Sequence, residues 1–298
     1  MKTEQKSYLF AFIAILLWST VATAFKIALE GMDFMQLLMY SSLVSSIVLF
    51  IIVLLQKKLG LLKQYISKHL LKGILLGFIT PFLYYSILLK AYSVLPAQEA
   101  MILNYTWPIM LVILSIIFLK QPIKPINIVA ILVSFLGIAI IATKGNITNI
   151  VFTNLTGDLL ALSSSIIWAL FWILNMKDKN DEVVKLFVSF LFGFVFSFIL
   201  TAIFSEIKLP EPKYIVSFIY IGFFEMSITF TLWLICLKLA TTADKVSNLV
   251  FITPFLSLLF IHLIIGEQIK LASLSGLILI VCSILFTKLY ANKKQKSK

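Results

Sequence analysis

Glu225 sits about eleven residues into an apolar run, in Gly222-Phe223-Phe224-Glu225-Met226-Ser227, where the middle of a membrane span would fall. A carboxylate at that depth is costly unless paired, hydrated or protonated, so an intramembrane acid is a functional candidate by default. A carboxyl that gains and loses a proton suits ion coupling; one that stays protonated suits a hydrogen bond to a neighbouring helix. Lys26 lies in the last turn or two of the first apolar run. Its ammonium can meet Glu225 or a substrate carboxylate, or reach the interface along its own methylene stem. Asn104, Tyr105, Trp107 and Pro108 form a polar-aromatic patch, with Gln98 and Glu99 at the start of the same helix. Asn104 and Trp107 are three apart and share a helical face. Asparagine brings donors and an acceptor, and the aromatic rings bring flat apolar walls with one polar handle. Such a surface suits a small zwitterion or an aromatic metabolite. It also suits plain helix packing, where Asn and Tyr act as glue.

Trp18 (with Ser19, Thr20 and Thr23), Tyr84 beside Tyr85, Trp168 with Trp172, and Trp233 complete the candidate substrate-binding surface. Aromatic residues in membrane helices also serve as packing or interfacial anchors. Other chemistries lack their parts. Thr143-Lys144-Gly145 and Leu71-Lys72-Gly73 do not have phosphate-loop spacing, which excludes ATP-driven pumping by this chain alone. His69 and His262 have no partner at metal-ligand spacing, and no Gly-x-Ser-x-Gly elbow is present. No close pair of intramembrane acids is expected, nor any metal, cofactor or enzymatic activity. Cys236 and Cys282 fall inside apolar runs and read as small apolar filler.

The elements that must position these residues are membrane helices. The hydrophobic fraction is 61% and the mean hydropathy +1.05, well above the roughly 45–50% apolar content of soluble domains. Taking about 20 apolar residues per span, ten spans are predicted near 8–29, 34–55, 71–92, 98–119, 125–143, 157–176, 184–205, 214–237, 244–265 and 271–290. The fold class expected is an all-α integral membrane protein. Only the tail from Asn292 to Lys298 reads as disordered.

Charge fixes an orientation. All 25 basic residues are Lys, against 13 acids, for a net charge of +12. With a cytoplasmic N-terminus, lysines fall on the inner side over the outer by about three to one, the positive-inside pattern. Both termini are then cytoplasmic in a cell membrane. Nucleic acid need not be invoked for the basic balance. With no Arg there is no guanidinium fork to clamp a phosphate or carboxylate, so a strongly anionic substrate is disfavoured.

The chain also echoes itself. Trp107-Pro108 stands thirteen positions before Gln121-Pro122-Ile123-Lys124, and Thr253-Pro254 thirteen before Glu267-Gln268-Ile269-Lys270. Ile166-Ile167-Trp168-Ala169 echoes Leu16-Leu17-Trp18-Ser19. This divides the chain into a first repeat, 1–146, a second, 147–292, and a basic tail, 293–298. Five spans per repeat make the two copies antiparallel, the arrangement a secondary transporter uses to open alternately to each side. Pro81, Pro108 and Pro254 fall inside spans three, four and nine, where each removes a backbone donor. Pro108 and Pro254 hold matched places, as gate-shaping helix breaks or as ordinary kinks.

Leu17-Trp18-Ser19-Thr20 with Lys26, Pro96-Ala97-Gln98-Glu99-Ala100-Met101 leading to Asn104-Tyr105-Thr106-Trp107-Pro108, and Thr253-Pro254 with Gly266-Glu267-Gln268 resemble the drug/metabolite transporter superfamily, EamA type. The resemblance covers nearly the whole chain. It implies a ten-helix inverted-repeat bundle with a cavity between the halves. The Asn-Tyr-x-Trp-Pro stretch is similar to that of bacterial exporters of aromatic and other neutral amino acids, which implies a cavity role for Asn104, Tyr105 and Trp107. Lys120-Gln121-Pro122 departs from the family's usual Gly-Glu-Arg, so an acid present at Glu267 lacks a counterpart there. The expectation is an exporter of small neutral metabolites working in the lipid bilayer, with protons as a possible partner, as monomer or homodimer. The alternatives are a nucleotide-sugar or phosphorylated-metabolite antiporter, an intramembrane enzyme, and a non-transporting scaffold.

Overall fold

The computed structural model describes residues 3–119, 125–146, 154–176, 178–239 and 248–296, which are all helix, turn or loop with no β-strand among them. Lys120, Gln121, Pro122, Ile123 and Lys124, with the departure noted at that corner, lie outside the described residues. The elements are α1 (Thr3–Leu29), α2 (Phe34–Leu55), α3 (Leu59–Gly77), α4 (Tyr84–Val94), α5 (Ala97–Asn104), α6 (Trp107–Leu119) and α7 (Pro125–Ala142). After them come α8 (Leu155–Met176), α9 (Glu182–Phe204), α10 (Pro212–Tyr220), α11 (Phe230–Leu239), α12 (Thr253–Ile265) and α13 (Leu271–Lys296). Wide π-helical turns join α3 to α4 (Phe78–Leu83) and α10 to α11 (Ile221–Thr229), and a 3₁₀ turn (Asn248–Ile252) leads into α12. Seven continuous stretches are long and apolar enough to cross a membrane, and three shorter apolar helices accompany them: Ile128–Ala142, Leu249–Ile265 and Leu271–Phe286. The last helix runs on to Lys296, so the expected disorder from Asn292 does not describe the backbone up to that point.

Helix starts follow from local chemistry. Asp33 caps α2, its Oδ1 accepting from the N–H groups of Met35 (2.8 Å) and Gln36 (3.0 Å). Asp181 caps α9 in the same way through Val183 (3.0 Å) and Val184 (3.2 Å). Each cap is worth about 0.5–2 kcal/mol. α3 starts earlier than the predicted span because a short lysine-bearing helix precedes it, broken at His69 (φ −135°, ψ 18°).

Packing pairs α2 with α9, α7 with α13, α1 with both α11 and α12, and α8 with α4, α5 and α6. Small polar residues let these backbones close. Ser45 Oγ donates to the Met226 carbonyl at 2.8 Å, and Ser227 Oγ lies 2.9 Å from Ser45 Oγ and 2.7 Å from the Gly222 carbonyl. This stitches the second wide turn to α2 and thereby sets the depth of Glu225. Gly222 sits at the crossing, where a Cβ would stand 2.5 Å from the Ser41 carbonyl oxygen and 2.6 Å from Val44 Cβ. Gly222→Ala should therefore force the two helices apart and destabilise the protein by about 1–3 kcal/mol. Thermal melting of the purified protein measures it, and an unchanged midpoint would remove Gly222 from this role.

At the end of the bundle holding Lys72, the α8–α9 loop is anchored by Asp178. Its Oδ1 accepts from the Asn180 N–H (3.0 Å) and Nδ2 (2.6 Å), Oδ2 lies 3.3 Å from Lys72 Nζ, and Lys185 Nζ donates to its carbonyl at 2.9 Å. Burial by itself would favour the neutral acid, but the Asn180 bonds, Lys72 and Lys185 together hold this carboxyl below its ordinary range. A folded value below the unfolded one, about 3.9, gives stability that is full above that pH and lost as pH falls through the folded value. Asp178→Asn should melt at a lower temperature than the parent at neutral pH, and the gap should close in acid. A gap that does not change with pH would contradict this.

Candidate functional site

The two matched prolines are not kinks within continuous helices. α5 stops at Asn104, Tyr105 and Thr106 turn, and α6 begins at Trp107 with Pro108 second. The Thr106 carbonyl accepts from the N–H groups of Ile109 (2.9 Å) and Met110 (3.2 Å), which starts the new helix. Pro254 is likewise second in α12, after the 3₁₀ turn. Both therefore occupy a first helical turn, where a missing N–H costs nothing and the fixed φ is already helical. The sequence places a lost backbone bond at these points; the structure instead places a helix start. Pro81 lies in the first wide turn, after a cis Thr80–Pro81 bond. It packs against Gly193, where a Cβ would fall 2.2 Å from Pro81 Cγ.

Between these breaks lies a cavity of about 380 Å³. Trp18, Tyr84, Asn104, Tyr105, Trp107, Trp168 and Trp233 all line it, together with Pro108 and Glu225. Pro81, Pro254 and Lys26 do not. The rings form a connected wall. Trp168 stacks on Tyr84 (4.7 Å, 28°) and meets Phe230 (5.6 Å) and Trp172 (5.9 Å) nearly edge-on. Trp18 lies 5.3 Å from Trp233 and 6.2 Å from Phe230. Trp233 and Glu225 reach the same cavity although a wide turn separates them from a regular helical register.

Two polar centres interrupt the apolar wall. Tyr85 Oη donates to Glu225 Oε1 at 2.9 Å, and the Trp18 indole acts on the same carboxyl. Glu225 Oε2 has no aligned hydrogen-bond partner among the described residues, in a side chain that is buried. Asn104 accepts from Tyr84 Oη at 3.3 Å and donates through Nδ2 to Ser164 Oγ at 2.8 Å, so α4, α5 and α8 converge on one amide. Trp172 Nε1 is also buried without a partner among the described residues. The cavity thus offers π faces, an amide, a free indole N–H and one carboxyl oxygen.

Lys26 pairs with backbone carbonyls and not with Glu225. Its Nζ donates to the carbonyls of Tyr92 and Leu95, both at 2.9 Å, satisfying the C-terminal end of α4. A helix C-terminus exposes carbonyls without intrahelical donors, and an ammonium there meets both that need and the local charge. At this same end Glu267 caps α5, Oε1 accepting from the Ala97 N–H at 2.7 Å and Oε2 from the Gln98 N–H at 3.3 Å. Gln98 returns the contact, with Nε2 donating to the Gln268 carbonyl at 2.9 Å and Oε1 accepting from the Lys270 N–H at 3.1 Å. Glu99 and Asp158, 59 positions apart in the chain, stand buried at the adjoining starts of α5 and α8 and act on each other's charge. Linear spacing carries no sign of that pair, because it is made between helices. Tyr92, Phe25 and Phe251 also line the cavity and were not singled out by sequence, where they look like any other aromatic in an apolar run.

Comparison with known proteins gives a consistent picture. The profile of the EamA-like transporter family matches residues 5–143 and 155–289. An uncharacterized transporter of Clostridium kluyveri is 28% identical over 291 residues, covering 93% of this chain and 91% of its own. The uncharacterized transporter YoaV of Bacillus subtilis is 24% identical over 277 residues, covering 90% and 92%. A protein of known crystal structure superposes with a TM-score of 0.69 at 20% identity, over 97% of this chain and 99% of that one, a likeness of fold.

Proposed function

The chain belongs to the EamA-like transporter family, and from that premise we propose that this multi-pass membrane protein exports small neutral metabolites, aromatic amino acids first among them. Transport runs by alternating access and is coupled to protons through Glu225. The observation that carries this reading is the composition of the cavity wall: stacked aromatic rings, one anchored amide and one carboxyl, with no lysine among the described lining residues. A cavity of about 380 Å³ is of the size that holds small molecules. Trp18, Tyr84, Asn104, Tyr105, Trp107, Trp168 and Trp233 contact the substrate, and Pro108 and Pro254 start the helices that shape its gates. Pro81 sets the first wide turn, and Lys26 anchors the end of α4.

Ten spans in two inverted repeats, 1–146 and 147–292, account for the packing. α2 with α9 and α7 with α13 are self-matching pairs; α1 with α12 has its mate in α8 with α5 and α6. The wide turns at Phe78–Leu83 and Ile221–Thr229, and the breaks before Pro108 and Pro254, also fall in corresponding places. On this reading both termini are cytoplasmic in the cell membrane, and the Lys26 end faces outward.

The antiporter of phosphorylated metabolites is disfavoured because Lys26, the cation the sequence offered for an anionic substrate, is bound to backbone carbonyls. Melting of the purified protein across a metabolite library tests the choice. Tryptophan, tyrosine and phenylalanine should raise the midpoint, and nucleotide sugars and sugar phosphates should not. Stabilisation by the phosphorylated compounds alone would reverse the assignment.

A further inference from the structure

Away from the aromatic cavity, at the Lys26 end, two carboxyl groups from opposite halves of the chain meet. Glu99 is in the first turn of α5, just past the N–H groups that Glu267 caps, and Asp158 is in the first turn of α8. Their side chains are only 4% and 2% exposed, and the two helix starts adjoin, with Asn154 Nδ2 donating to the Val94 carbonyl at 2.9 Å and Gly157 packed against Leu95, so that each carboxyl acts on the other's charge. Glu99 Oε1 and both Asp158 oxygens have no protein donor among the described residues. The charges facing them are Lys144, in the turn after α7, and Lys270, just before α13.

The chemistry of this contact is restrictive. An ionised carboxylate only accepts, so two carboxyl groups bond to each other only when one of them carries a proton. With that proton gone, two buried like charges would remain in contact, which such pairs avoid by sharing one proton and titrating as a unit. We propose that Glu99 and Asp158 together bind a single proton, and that this proton fastens α5 to α8 and so keeps the Lys26 end closed. Its departure sets the two helices against each other. The Glu267 cap and the Lys26 ties attach to the same short region, residues 92–98, and separate with it. The coupling role rests on the transport reading above; proton binding itself does not.

Infrared difference spectra of the full-length protein in proteoliposomes, recorded between acid and alkaline pH, test the proton. The parent should lose a protonated-carboxyl C=O band that is missing from both Glu99→Gln and Asp158→Asn. The double exchange Glu99→Asp with Asp158→Glu keeps both acids and should restore it. Retention of every parent band in the two single variants overturns the site, as does a response of the lost band to sodium at constant pH. The coupling role is read separately with tryptophan. Both single variants should keep counterflow, which needs no gradient, and lose the stimulation of uptake by a pH gradient, about tenfold for one unit at one proton per substrate. Full stimulation in the variants overturns the coupling role. An absence of tryptophan counterflow in the parent defeats the transport reading and leaves the infrared result to decide the proton site.

Discussion

Glu225→Gln should stop a pH gradient from accelerating uptake while tryptophan counterflow continues. The glutamine carbonyl still accepts from Tyr85 Oη, now 2.9 Å from Oε1, so the wall of the cavity keeps its shape and only the titratable proton is removed. A gradient of one pH unit supplies about 1.4 kcal/mol per proton, a tenfold accumulation at one proton per substrate. The variant should therefore fall from about tenfold to about onefold accumulation. Gradient dependence that survives the substitution would detach Glu225 from coupling and leave it a hydrogen-bonded structural acid. The contrast with Glu99 and Asp158 is informative: Glu225 lines the cavity, so substrate binding should alter its titration, whereas Glu99 and Asp158 are not among the lining residues.

The second large effect is expected at Trp168. Its indole joins the rings of Tyr84, Phe171, Trp172 and Phe230. Trp168→Ala removes a stacking partner worth about 0.5–1.5 kcal/mol beyond its buried area and opens space on the cavity wall. Tryptophan affinity should weaken about 10- to 100-fold, or about 1.4–2.8 kcal/mol. Trp168→Phe, which keeps a ring against Tyr84, should recover most of it. Titration calorimetry on the purified protein distinguishes the two. Equal affinity in parent and Ala variant would place the substrate elsewhere.

The residues that line the cavity were more legible in the sequence than the contacts that fasten it, for physical reasons. Asn104, Tyr84 and Glu225 are legible because a polar group in an apolar run must be accommodated by something, and the candidates then fall near the midplane of their spans. Trp168 stands out through the echo of Ile166-Ile167-Trp168-Ala169 with Leu16-Leu17-Trp18-Ser19. Lys26 is different: its acceptors are carbonyls 66 and 69 positions away, and backbone groups leave no mark in composition. The Glu99–Asp158 contact has the same character, set by how α5 and α8 cross. The wide turns were equally hidden, because the register of Ile221–Thr229 is decided by Ser45 and Ser41 on a different helix. Pro108 and Pro254 each stand second in a helix, and their effect depends on where the preceding segment ends, which the apolar run does not reveal.

The two helix starts at Pro108 and Pro254 have an electrical consequence. α6 and α12 begin beside the cavity, with Trp107, Pro108 and Phe251 on its wall. The aligned peptide dipoles of a helix leave roughly half a positive elementary charge at its N-terminus. Two such ends beside the cavity supply a positive potential that no described lining side chain provides. A chain with no arginine thus carries at its centre a cation written in the backbone, balanced against one glutamate.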